Sequence, residues 1–522
     1  MITFVSRYLR GLRIIVLATL PALVVGSASL AAGEAPDSGR ADLLLDSLLT
    51  HYSSDADSLK REAARYLIDN IEGHGYVTYD LVDTVGGVID WDVTGYETFD
   101  RLEAGFDRLE AEHGVLDFER SDLVKDELAV SAEFLIEHID YAFRAWRERP
   151  WATGLSFDQF CEYVLPYRGS NEPLESWRAP LFAEYASLMD RMDDPTDPIE
   201  AASIINDDLM SWFHFDPRYY YHPTDQGLSE MKESRLGRCE DMTNLTIFAM
   251  RANGLAVTSD YTPYWANSGN NHAWNAILSP DGQVIPFMGA EANPGKYRLA
   301  NKLAKVYRKT FSVQPGNLAF QDNAQESLPR YLASKSYVDV TRDYIPVTDV
   351  GVEIAVPLPD SVEIVYLCVF NSGEWKPIQW ARIGDGRARF TDMGLGIAYL
   401  PGFYAGTEIH PINSAYILDD EKQTQPLQPA LTDRTSLSLT STTHRKQEVS
   451  TDGIEKNYLV AGQEYELFYW DTGWQSVGKA VAGEDPLEFS DVPAGALFRL
   501  VAADSDDEER IFTFEEGRQV WW

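Results

Sequence analysis

Cysteine is scarce in this chain, with three residues (Cys161, Cys239 and Cys368) among 522. A fold stapled by disulfides carries more of them, in even number, so bridging is not what stabilises this one. None of the nine histidines stands four positions from another, and no Cys-x-x-Cys occurs. The common zinc spacings are therefore missing, and no metal or other cofactor is implied. Positive charge is short as well: 44 Lys and Arg face 82 Asp and Glu, for a net charge of −38. That balance repels phosphate backbones and anionic membrane surfaces, which excludes nucleic acid as a partner class. The acids are spread along the chain and read as a solubilising surface rather than a docking tail. The leading apolar run, IIVLATLPALVVG, is interrupted by Pro21 and too short to cross a bilayer. It follows Arg7, Arg10 and Arg13 and precedes SASLAA, the layout of a signal peptide over residues 1–32 cleaved after Ala31 or Ala32. The expected location is periplasmic or extracellular, with no membrane insertion after cleavage. An exported chain that keeps free thiols invites a chemical use for one of them.

The length calls for several domains. Residues 41–210 read as a helical N-terminal region, with apolar positions at i, i+3, i+4 and i+7 in LLLDSLLTHY, DSLKREAARYLIDNIEGH and VSAEFLIEHIDYAFRAWRERPW. The stretch around FCEYVLPYR is rich in aromatics and arginine and reads as packing against the next domain. Residues 211–345 mix helix and strand, with a hairpin turn expected at Pro280-Asp281-Gly282. Beyond them the helical pattern stops, and two antiparallel β-sandwich modules are expected over 346–430 and 431–522, joined by a polar linker at 419–433. The expected class is thus multidomain α+β. Oligomeric state is not legible.

The chemistry concentrates between Gly237 and Asn275. In GRCEDMTNLTIFAMRANG, Met242, Leu245, Ala249 and Met250 repeat at helical spacing, which puts Cys239 at a helix start. Unpaired backbone N–H groups and the helix dipole there favour a thiolate, and the same N–H groups suit an oxyanion. Glu240 and Asp241 oppose a thiolate unless they point away. Thirty-three positions on, His272 opens the strand HAWNAIL and is the candidate base. Trp265 and Trp274 flank it as candidate walls of a substrate groove or as core, and Asp260 is a strand-end cap or a site acid. Cys161 and Cys368 lie in apolar surroundings and read as inert core.

The words R-x-x-x-C-E-D, D-Y-T-P-Y-W and N-H-A-W-N resemble the transglutaminase-like superfamily of papain-type Cys–His–Asp enzymes. The likeness covers about residues 211–300. FCEYVLPYR and the QVWW word extend it to large exported multidomain members known mainly from Bacteroidetes. It implies an α+β core with Cys239 as nucleophile and His272 as base. In such proteins an aspartate closes the strand after the histidine strand, and here that position falls on Met288, a thioether that cannot orient an imidazole. Glu291 is the nearest carboxylate, and Asn275 offers an amide oxygen.

The implied activity is cleavage of peptide or glycopeptide amides through an acyl-thioenzyme, with hydrolysis favoured over crosslinking because water is always at hand. The alternative is a degenerate core serving as a binding or scaffold protein, with β-modules that hold carbohydrate or protein.

Overall fold

The computed structural model describes residues 38–279, 282–321, 328–405, 408–444, 456–502 and 509–522. The expected signal peptide, and Pro280 and Asp281 of the expected turn, lie outside the described residues. No described helix is long and apolar enough to cross a membrane.

The N-terminal region is helical at Ser38–His51, Ser58–Asp69, Ala132–Glu148, Phe157–Tyr163, Arg178–Glu184 and Pro198–Met210. It differs from the sequence expectation between these helices. Strands Val88–Ile89, Gly75–Val82 and Asp117–Lys125 form a three-stranded antiparallel sheet in that order, beside the helix Phe99–His113. YVTYDLV carries β-branched and aromatic residues that suit a pleated surface. A Cβ at Gly75 would lie 2.7 Å from the carbonyl oxygen of Val124, so only glycine lets these strands meet.

A single apolar cluster runs from Leu44 through Phe160, Trp177 and Ile205 to Leu245, Ile277 and Val340, so the helical region and the core share one interior. The FCEYVLPYR segment builds that junction. Arg178, fully buried, donates to the carbonyls of Leu165 (2.8 Å) and Pro166 (3.0 Å) and to that of Arg251 (2.9 Å) on the site helix. The Leu165 and Pro166 carbonyls follow the end of the short helix Phe157–Tyr163, beyond its own donors.

The core sheet has five antiparallel strands in the order Tyr337–Asp339, Tyr307–Lys309, Val257–Thr262, His272–Leu278 and Val284–Phe287. The site helix Cys239–Ala252 packs on it, buried along nearly its whole length. After Val347 the described chain is antiparallel sheet. One eight-stranded sheet spans Val347–Pro426, and Val350 and Val352 from one edge share a cluster with Tyr416 and Leu418 of the strand next to the other edge, so it curls over its own core. Its strand Ile364–Asn371 is buried on both faces. Val365, Leu367 and Val369 fill the module, while Tyr366, Cys368 and Phe370 join Tyr261, Tyr307 and Trp470 of the neighbouring units. The linker expected at 419–433 is instead strand Thr424–Pro426 and the start of Ala430–Leu439, with Leu427 buried between them. The remaining strands form a five-stranded sheet and a two-stranded pair around a second core.

Arg510 clasps three units together. It is fully buried and donates to the carbonyls of Ala266 (2.7 Å), Phe370 (2.8 Å) and Trp522 (2.8 Å). Asn371 adds donations to the carbonyls of Trp265, Ser268 and Asn270 at 3.0, 2.8 and 2.9 Å. The loop that leads into His272 is therefore held from the β-modules. Arg510→Ala takes this donor from the buried carbonyls of Ala266 and Phe370, at roughly 1–3 kcal/mol each. The expected outcome is a loss of about 3 kcal/mol or more in urea unfolding, with faster proteolysis of the 265–270 loop.

Candidate functional site

Local packing places the thiol. The helix Leu228–Ser234 ends on Arg235 in the left-handed region (φ 57°), and Leu236–Gly237 then pairs with His214–Phe215. A Cβ at Gly237 would stand 2.6 Å from Asp241 Cβ and 2.7 Å from the Phe213 ring, so the chain passes here only as glycine. The buried Asp241 carboxylate accepts from the backbone N–H of Arg238 (2.9 Å) and of Gln226 (2.9 Å). It thereby caps the helix and makes Cys239 its first residue. The Arg238 side chain reaches Asp225 at 2.7 Å and the carbonyls of Tyr219 (3.4 Å) and His222 (3.3 Å). That holds Tyr220 over the sulfur, 3.8 Å from hydroxyl to Sγ.

Glu240 turns to Lys309 on the sheet (2.7 Å), and Lys309 also donates to Ser170 (2.7 Å). Both first-turn acids thus have partners. Cys239 is half-buried, whereas Cys161 and Cys368 are buried. Burial pushes the Cys239 thiol up to about 12; Glu240 and Glu291 push the same way, and the Tyr220 hydroxyl works against them.

His272 opens its strand opposite Thr262. Burial draws its imidazole down to about 4, with Glu240 pulling upward. Its Nε2 lies 2.5 Å from the Tyr297 hydroxyl, and the Trp265 indole stacks on the ring at 5.8 Å and 26°. At neutral pH the pair rests as thiol and neutral imidazole. Tyr297 senses both sides: after burial, the charges of Glu291 and Cys239 raise its pKa. Tyr297 thus touches His272 and lies within the electrostatic reach of Glu291 and Cys239.

The other sequence candidates sit as follows. Glu291 is exposed on the turn closed by Met288 and Ala292, and it makes no hydrogen bond to His272. Met288 is buried at 1 % exposure and closes its position with apolar atoms. Asn275 is buried and committed elsewhere, its amide donating to Thr243 O (3.2 Å) and its oxygen accepting from Gly289 N (3.1 Å). Asp260 forms a two-pronged ion pair with Arg308 at 2.8 Å and accepts from the Tyr344 hydroxyl at 2.6 Å. Trp274 is fully buried, its indole N–H donating to Tyr344 (3.1 Å), and Trp265 is 7 % exposed. Both tryptophans are core around the histidine, with no open face for a groove. No group of three or more metal-ligating side chains occurs among the described residues.

Sequence reasoning missed Tyr220, Tyr297 and the Arg238–Asp225 pair. An acid at the third helical position is a capping signal that could have located Asp241's role. Tyr297 lies in an aperiodic loop and gave no signal.

A depressed histidine favours the folded state only while it is neutral. Its contribution is present above the unfolded value near 6.5 and is lost as pH falls toward the folded value. His272→Gln should therefore lose less stability than the parent between pH 7 and 4.5, by on the order of 2 kcal/mol. Urea unfolding followed by tryptophan fluorescence checks this.

Residues 186–287 match the family model of the transglutaminase-like superfamily, a span that contains both Cys239 and His272. None of the curated proteins matches the chain. Among solved structures, a red sea bream transglutaminase is similar over 84% of this chain and 76% of its own, at 9% identity and a TM-score of 0.17. That likeness is too slight to carry an argument. Residues 186–287 thus carry a transglutaminase-like domain, set between a helical region and antiparallel sheets.

Proposed function

We propose that the chain is an exported thiol enzyme that cleaves peptide or glycopeptide amides through Cys239. The observation that carries this reading is the placement of one half-buried cysteine at the capped first residue of the core helix, within a transglutaminase-like domain. The sulfur attacks the amide carbonyl as its proton passes to His272, and the unpaired N–H groups of the helix start face the developing oxyanion. The imidazolium then returns the proton to the leaving amine, and water releases the acyl group from sulfur. Hydrolysis is favoured over crosslinking because water is always present at the site. The carboxylates near Cys239 and the net charge of −38 favour substrates without strong negative charge.

A second reading also has support. The thiol near 12 and the imidazole near 4, with no carboxylate on the ring, suit a degenerate core that binds rather than cleaves. For such a scaffold, protein is the better partner than glycan, since all thirteen tryptophans are buried or half-buried. Turnover of peptide amides separates the two. Cys239→Ala should abolish it, a loss of at least about a thousandfold, while Cys161→Ala leaves it within about threefold. Full turnover in Cys239→Ala sinks the enzyme reading.

A further inference from the structure

The third position of the Cys–His site has no obvious occupant. Met288 cannot hydrogen-bond an imidazole N–H, Asp260 is spent on Arg308 and Tyr344, and Asn275 is spent on Thr243 and Gly289. Glu291 is near Cys239 and Tyr297 but does not bond the ring. The group that does touch His272 is the Tyr297 hydroxyl, at 2.5 Å from Nε2.

Tyr297 is held for that task. Its turn is closed by Lys296 N donating to Asn293 O at 2.9 Å. The Asn293 side chain is fixed in turn to Asn206 (2.9 Å) and Asp207 (2.7 Å) on the helix Pro198–Met210. Asn206 also accepts from Ala290 N at 2.7 Å, so one helix anchors the 290–293 stretch that leads to Tyr297. With Trp265 stacked on the imidazole, the ring has a face support and an edge partner.

We propose that Tyr297 is the positioning residue of His272, its hydroxyl oxygen accepting Nε2–H so that Nδ1 is left as the basic nitrogen of the ring. This rests on the thiol-enzyme reading for its use in catalysis. In the reaction the proton leaves Cys239 sulfur for Nδ1, giving thiolate and imidazolium, while the Nε2–H bond to Tyr297 persists. A phenol oxygen brings no full negative charge, so it orients the imidazolium without stabilising it as a carboxylate does. The low imidazole pKa agrees with such a neutral partner. The Tyr297 hydroxyl itself stays protonated, since burial and the neighbouring Glu291 and Cys239 raise it.

The test uses the full chain with nitrogen-15 histidine, the His272 signals being assigned by their loss in His272→Gln. The parent should show His272 mainly as the Nε2–H tautomer. Tyr297→Phe should cut the ratio of that tautomer to the other by about five- to tenfold, the weight of one hydrogen bond, and slow iodoacetamide alkylation of Cys239 by a similar factor. Tyr344→Phe removes a hydroxyl from the buried Trp274–Asp260 chain and controls for general loosening. It should leave the His272 tautomer as in the parent. An unchanged tautomer in Tyr297→Phe, or an equal shift in Tyr344→Phe, overturns the proposal. A shift in tautomer with equal alkylation rates in the parent, Tyr297→Phe and His272→Gln upholds Tyr297 as the residue that sets the ring. That result fails the thiol-enzyme reading alone.

Discussion

The Asp241 carboxylate decides where the site helix begins, and the rest of the site follows from that. One of its buried oxygens meets the N–H of Arg238, the residue just before the helix, while the other ties in the N–H of Gln226 from an earlier loop. Burial pushes the pKa of this carboxylate up, and Arg238 beside it works against that rise. A different cap would shift the helix register, and each residue moved turns the sulfur by about 100° around the axis. The same arginine carries the constraint outward through Asp225 to the segment that holds Tyr220 against the thiol.

Around that fixed point the molecule uses buried cations as ties. Arg178 gathers carbonyls at the junction of the helical region and the core, Arg308 grips Asp260 across neighbouring strands, and Arg510 joins the core to both β-modules. A guanidinium has five donors in a planar fork, so one side chain can satisfy several carbonyls left by irregular backbone. In a chain with 44 basic residues against 82 acids, placing these three inside is a deliberate use of a scarce residue type.

Much of this was legible in the sequence. The helical spacing of Met242, Leu245 and Ala249 located Cys239, and the run HAWNAIL located the strand that His272 opens. The class was legible too, because period and turn signals change clearly after residue 346. The three-stranded sheet at 75–125 was not, since its strands sit between strongly helical segments and their outward faces are polar. The edge partner of the imidazole was hidden for a different reason. Tyr297 reaches His272 from a loop whose shape is set by Asn206 and Asn293, and no local spacing encodes a contact made through space.

The Arg510 clasp also has a bearing on how the molecule is assembled. The carbonyl of Ala266 waits for a donor that lies 244 positions further along the chain. The hairpin that presents His272 can take its secondary structure early, from the pairing of Val257–Thr262 with His272–Leu278. Its connecting loop, by contrast, is tied to residues of both β-modules. Contacts of such long range form late, because the intervening chain must first be closed. The loop before His272 thus takes its hydrogen-bond donors from domains that hold none of the candidate site's own side chains, so the shape of the site depends on chain far outside it.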